Sequence, residues 1–255
     1  MDFICVSVRV PKSGSSSLSR LLADAFAGHR TFYLYDTFNA DILASAFQRM
    51  RYRRSLARNL FRRYGTADQA KVYETILKEA MNGDLIDGGH IDFLSVTANV
   101  KRPLKQITLL RDPVERSRSE YNYALQSARS KNFFSRIDTG LMPKAAHTRD
   151  FDGFLDFLLE YRDAYNNLAC RYIGWNGTDD LGDYFARNVF HAGVLEESDR
   201  FAAGLSKKMG KRLEFPHRNR VESESAGEVT RARRRKIEQI YPLDFKLYEW
   251  VRERA

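Results

Sequence analysis

Val8-Arg9-Val10-Pro11-Lys12-Ser13-Gly14-Ser15-Ser16-Ser17-Leu18 governs how the chain is read, because it runs from a strand through a small-residue loop into a helix. Residues 3–10 (Phe-Ile-Cys-Val-Ser-Val-Arg-Val) are nearly all apolar or β-branched, which suits a strand covered on both faces in a parallel sheet. Beyond the loop, Leu18, Leu21, Leu22, Ala25 and Phe26 recur at helical spacing and predict one buried stripe. Between the two, Gly14 permits tight backbone geometry, the serines bring hydroxyl donors, and the helix start offers unpaired N–H groups at a positive dipole end. An anion placed there meets donors already in position. An ordinary βα turn carries the same residues, so the loop by itself leaves both readings open. It is not the nucleoside-triphosphate loop of kinases and ATPases, which ends in Gly-Lys-Ser/Thr; here Lys12 precedes the glycine and enters from the strand side.

A chain of 255 residues with 43% hydrophobic residues can bury one large α/β core, and nothing in it reads as a linker, a repeat or a low-complexity tract. The expectation is therefore a single domain over 1–255, a central parallel sheet flanked by helices. The formal charge of +9 favours anionic partners: nucleic acid, an acidic membrane surface, a phosphorylated cosubstrate or an acidic glycan. Cys5 and Cys170 lie far apart in apolar neighbourhoods and read as reduced core residues, and no metal-ligand spacing appears. With no signal-like leader and no run long enough to span a bilayer, the expected location is cytoplasmic.

Along the chain, residues 29–35 predict a second strand that completes a βαβ unit. Residues 41–81 turn helical and carry seven arginines between Arg49 and Arg63, read either as a solvated face or as a contact for an anionic acceptor or lipid surface. Asp84-Leu85-Ile86-Asp87-Gly88-Gly89-His90 is a short strand running into a diglycine that lets the backbone approach closely, with a histidine delivered to the crevice at the strand's end. A lone histidine there is also an ordinary core residue. Gln106–Leu110 predicts a buried strand ending at Arg111; Asp112, Pro113 and Glu115 then supply an N-cap, a first-turn proline and a capping-box partner. Residues 126–150 lack a clean period and read as a long, lid-like excursion. Asp150 or Asp152 starts a helix whose stripe extends through Phe154, Phe157, Leu158, Tyr161, Leu168 and Tyr172. Asn176-Gly177-Thr178 is a turn, residues 190–195 a late strand, 215–223 a basic loop, and 227–253 two helices broken near Pro242.

Two of these stretches together resemble the sulfotransferase family. Val10 to Leu18 is similar to its 5′-phosphosulfate loop. Leu110-Arg111-Asp112-Pro113-Val114-Glu115-Arg116-Ser117-Arg118-Ser119 is similar to its 3′-phosphate motif, in which an arginine and a serine eight residues later hold the 3′-phosphate of the donor PAPS (3′-phosphoadenosine 5′-phosphosulfate). The carbohydrate branch is the nearest likeness, above all the heparan sulfate 2-O-sulfotransferase type, where a Gly-His segment shortly before the 3′-phosphate motif supplies the base; Gly89-His90 matches it. Val194–Ser198 and Tyr241–Phe245 resemble later landmarks of the family.

The resemblance implies a P-loop-like, PAPS-binding fold with the helical insertion at about 41–81 and the lid at about 126–150. It implies a soluble, bacterial-type enzyme that uses no metal, with PAPS as cosubstrate and PAP as product. Lys12, Ser13, Gly14, Ser15, Ser16 and Ser17 would hold the 5′ end, Arg111 and Ser119 the 3′-phosphate, and Arg218 would close over the same donor. Lys12 and His90 would be catalytic, with His29, His147, Asp87 and Asp92 next in line as bases. A glycan acceptor is expected, nucleic acid is not, and peripheral membrane contact is permitted. The acceptor-gripping segments match nothing in the family. Two other readings stand beside this one: a P-loop-type small-molecule kinase, which needs the loop ending that this sequence lacks, and a non-catalytic polyanion binder using residues 49–63.

Overall fold

The computed structural model describes residues 1–34, 69–88, 90–129, 145–146, 149–216 and 226–254. Its centre is a five-stranded sheet in the order β2-β3-β1-β4-β5, every neighbouring pair parallel. The strands are β1 (Ile4–Val8), β2 (Thr31–Tyr33), β3 (Leu85–Asp87), β4 (Leu104–Leu110) and β5 (Val189–Val194). Every residue of β1 is buried, as its unbroken apolar run requires, and its alternate side chains enter opposite cores.

On one face, Cys5 of β1 packs with Leu18, Leu21, Leu22, Ala25 and Phe26, the stripe of α1 (Ser15–Ala25) and the residue that caps it, and with Phe201 and Leu205. On the other, Ile4, Val6 and Val8 meet Ile76, Phe93, Val96, Ile173 and Leu247. These come from α2 (Gln69–Glu79), α3 (Phe93–Asn99), α7 (Leu168–Ile173) and α11 (Pro242–Arg254). Tyr121, Phe154, Leu158 and Ile237 form a separate core among α4 (Pro113–Arg129), α5 (Phe151–Glu160) and α10 (Arg231–Ile240). The remaining helices are α6 (Arg162–Tyr165), α8 (Leu181–Asn188) and α9 (Ser198–Met209), the last entered through a 3-10 turn at Leu195–Glu197. The result is an α/β domain with helices on both faces of a parallel sheet, consistent with a sulfotransferase fold.

Several expectations change. The second strand is shorter than residues 29–35, and of the helical stretch 41–81 the described part is Gln69–Glu79; the arginines of 49–63, Gly89, His147, most of the 126–150 segment and the loop at 217–225 lie outside the described residues. The apolar stripe from Phe154 to Tyr172 is three helices, not one. Asn167 sits in the left-handed region at φ 43° because its Oδ1 accepts the Leu243 N–H (2.8 Å), the start of α11, so a tertiary bond breaks the local period. On β5 the register against β4 jumps from Gln106–Val189 to Ile107–His191, leaving Phe190 as a bulge. Both cysteines are buried and unbridged. No helix among the described residues is long and apolar enough to cross a membrane.

Candidate active site at the carboxyl edge of the sheet

In an open parallel sheet the ligand crevice lies beyond the carboxyl ends of the strands, where the strand order reverses. Here that point is between β1 and β4, neighbours joined to opposite wings of the sheet. The loop after β1 runs from Arg9 to Gly14 and carries Lys12, and the residue after β4 is Arg111. The two segments that sequence alone marks as phosphate ligands therefore adjoin, and a hydrogen bond joins them: Arg111 Nη1 donates to the Lys12 carbonyl oxygen at 3.2 Å.

The loop is wound tightly. Lys12 lies at φ 64° and Gly14 at φ 77°, both left-handed; a lysine held there is strained, and Arg111 holds its carbonyl. Gly14 caps α1, and a Cβ on it would come within 2.8 Å of Leu195 Cδ1, so the turn after β5 packs onto the glycine. The serines divide. Ser15 Oγ donates to the Val10 carbonyl (3.2 Å) and is occupied in the turn. Ser16 is exposed and Ser17 buried. Ser13 Oγ is buried with no hydrogen-bond partner among the described residues, a donor waiting for an acceptor. With the open N-terminus of α1, that orphaned hydroxyl fits a phosphate ligand.

Arg111 is half-buried, with Glu115 Oε2 4.0 Å from Nη2, and Ser119 is half-buried two turns along α4. Asp112 caps that helix, its Oδ1 accepting the N–H groups of Val114 (2.8 Å) and Glu115 (3.1 Å). The capping box is half made: Glu115 turns to Arg118 (2.9 Å), and the Asp112 N–H goes instead to Glu196 Oε1 (3.1 Å), whose other oxygen accepts from Tyr248 (3.3 Å). Burial raises the pKa of Glu196.

His90 follows β3, exposed, with Nδ1 2.8 Å from the Arg9 carbonyl oxygen and its ring edge-on to Tyr172. A carbonyl only accepts, so Nδ1 carries the proton and the lone pair of the neutral ring is on Nε2. The expected close approach is at Gly88, where a Cβ would stand 3.0 Å from the Ser7 carbonyl oxygen. Of the alternative bases, Asp87 is held by Arg9 (3.1 Å) and Ser19 (3.3 Å), and Asp92 caps α3 through Ser95. His29 precedes β2, at the opposite edge of the sheet.

Three groups escaped the sequence reading. Arg116 is buried and pairs with Asp244 Oδ2 at 2.7 Å; Asp244 also accepts the N–H groups of Ala169 (3.1 Å) and Cys170 (2.9 Å). Glu120 has a buried Oε2 without a hydrogen-bond partner among the described residues, and burial raises its pKa against the charges of Arg116 and Lys12. Burial also lowers the pKa of Lys12, opposed by Glu120 and reinforced by Arg111. Tyr123 lies under the Lys12 ammonium, 3.9 Å from ring centroid to Nζ. Asp244 and Glu196 fall inside the stretches that resemble family landmarks, which was the available signal. Arg218 lies outside the described residues.

The arrangement can hold a molecule with two anionic ends, offer a cation to one of them, and accept a proton at a nitrogen nearby. No curated protein matches this chain. The model of the sulfotransferase family matches residues 5–251, nearly its whole length, and the chain belongs to that family.

Proposed function

We propose that this sulfotransferase moves the sulfuryl group of PAPS to a hydroxyl of a carbohydrate or glycoconjugate, in the manner of the heparan sulfate 2-O-sulfotransferase type. The observation that supports the donor assignment is the 3.2 Å bond from Arg111 to the Lys12 carbonyl, which joins the loop after β1 to the residue after β4. When bound, PAPS supplies the sulfuryl group and, in its 5′-phosphate, the leaving group.

The residues divide the work. Ser13 and the amides of Gly14 to Ser17 hold the 5′-phosphate at the helix N-terminus. Lys12 places an ammonium where negative charge grows as the sulfur–oxygen bond breaks, an interaction worth most in the transition state. Arg111 grips the 3′-phosphate with its fork and Ser119 adds a hydroxyl. His90 Nε2 accepts the acceptor's hydroxyl proton, a contribution of ~10²–10⁴-fold. Its Nδ1 bond to Arg9 fixes the tautomer that this task requires. No residue in this scheme calls for a metal.

The test is transfer of label from sulfur-labelled PAPS to a panel of glycans, lipid-linked glycans and small alcohols. Label on a glycan hydroxyl, falling ~10²–10⁴-fold in His90→Ala, is the expected result. Full transfer by His90→Ala refutes the base assignment. Label confined to small alcohols refutes the glycan.

A further inference from the structure

Tyr123 lies one turn beyond Ser119 on α4, so the two share a helix face. The residue is 53% exposed, an open aromatic at the mouth of a cationic site. The Lys12 ammonium stands 3.9 Å above its ring centroid, well inside cation–π range. Among the described residues Lys12 makes no ion pair, and Glu120 acts on it from beyond hydrogen-bonding distance. The backbone end of Lys12 is fixed twice, by its left-handed φ and by Arg111 on its carbonyl. What remains is a four-carbon stem whose far end could sweep a wide arc, and the ring of Tyr123 is the group it rests on.

We infer that Tyr123 is a positioning residue for Lys12, its ring face fixing where the ammonium stands before the donor's 5′-phosphate arrives. This rests on the proposed role of Lys12. The attraction comes from the ring face, not the hydroxyl, so phenylalanine serves as well and a ring-free residue does not.

The experiment is a double-mutant cycle read by calorimetric affinity for PAP. Tyr123→Phe, Tyr123→Leu and the polar, ring-free Tyr123→Gln are each measured with Lys12 present and in the Lys12→Ala background. Circular dichroism checks that each folds, and either ring-free variant suffices. Tyr123→Leu or Tyr123→Gln is expected to weaken PAP about 2- to 30-fold when Lys12 is present and to change nothing further once Lys12 is alanine. Tyr123→Phe is expected to match the parent. An equal loss in both backgrounds makes the ring a contact of its own and overturns the inference, as does no loss with Lys12 present. If the parent binds PAP and only the cycle fails, the donor assignment stands; if the parent does not bind PAP, that assignment falls and takes the role of Tyr123 with it.

Discussion

His191 makes the fold acid-labile by a calculable amount. It lies buried on β5, stacked on Phe201 at 4.5 Å between ring centroids, with Nε2–H donating to the Phe201 carbonyl oxygen at 2.8 Å. Gly204 on α9 leaves it room, since a Cβ there would come within 2.8 Å of the ring. Burial lowers its pKa from 6.5 to about 4, against the partial support of the Phe201 carbonyl and with a further push from Lys208. A depressed histidine is neutral in both states above pH 6.5. Below that the unfolded chain takes up the proton first, so stability falls with pH until the folded state is protonated near pH 4. The full loss is about 3 kcal/mol, of which about 2 is reached by pH 5. The assay is urea unfolding of the parent and His191→Gln at pH 7, 6 and 5, because the variant retains an N–H donor and does not titrate. The parent should lose about 2 kcal/mol more than the variant between pH 7 and pH 5. Parallel pH curves would mean that His191 does not titrate as described, since every other titrating group is common to both proteins.

Two further outcomes follow from the packing around the crevice. Gly14→Ala forces a side chain into a left-handed position and against Leu195, so it should lower stability by about 1–2 kcal/mol in thermal melts, part of which Leu195→Ala should restore. Asp244→Ala leaves Arg116 buried without its counter-charge and should cost about 3–5 kcal/mol in denaturant unfolding, whereas Arg116→Met should cost less because Asp244 keeps two backbone N–H donors.

Local chemistry was legible wherever it decided local structure. The run before the loop, the α1 stripe and the Asp112 and Asp150 caps stand where the sequence puts them, and Asn176 accepts from Thr178 in the expected turn. What the sequence could not carry is set by distant partners. Arg116 meets Asp244 across 128 residues and Asp112 meets Glu196 across 84. The same cause broke the Phe154–Tyr172 stripe at Asn167, where a bond to α11 outweighs helical periodicity. The motif spacing pointed to Arg111 and Ser119 as proposed donor ligands, and only the sheet order brings Arg111 to Lys12. Tyr123 carried no signal, because a tyrosine beyond a motif gains meaning only from the cation above it.

In the proposed donor site one crevice holds two phosphates of one molecule, Lys12 and its loop at the 5′ end and Arg111 with Ser119 at the 3′ end. Calorimetric titration of PAP against AMP, which lacks the 3′-phosphate, tests it most directly. The parent should prefer PAP by roughly 10- to 100-fold, the worth of charge-assisted hydrogen bonds to one phosphate, and Arg111→Ala should erase that preference. Equal affinity of the parent for the two nucleotides would mean that no 3′-phosphate site exists at Arg111 and Ser119.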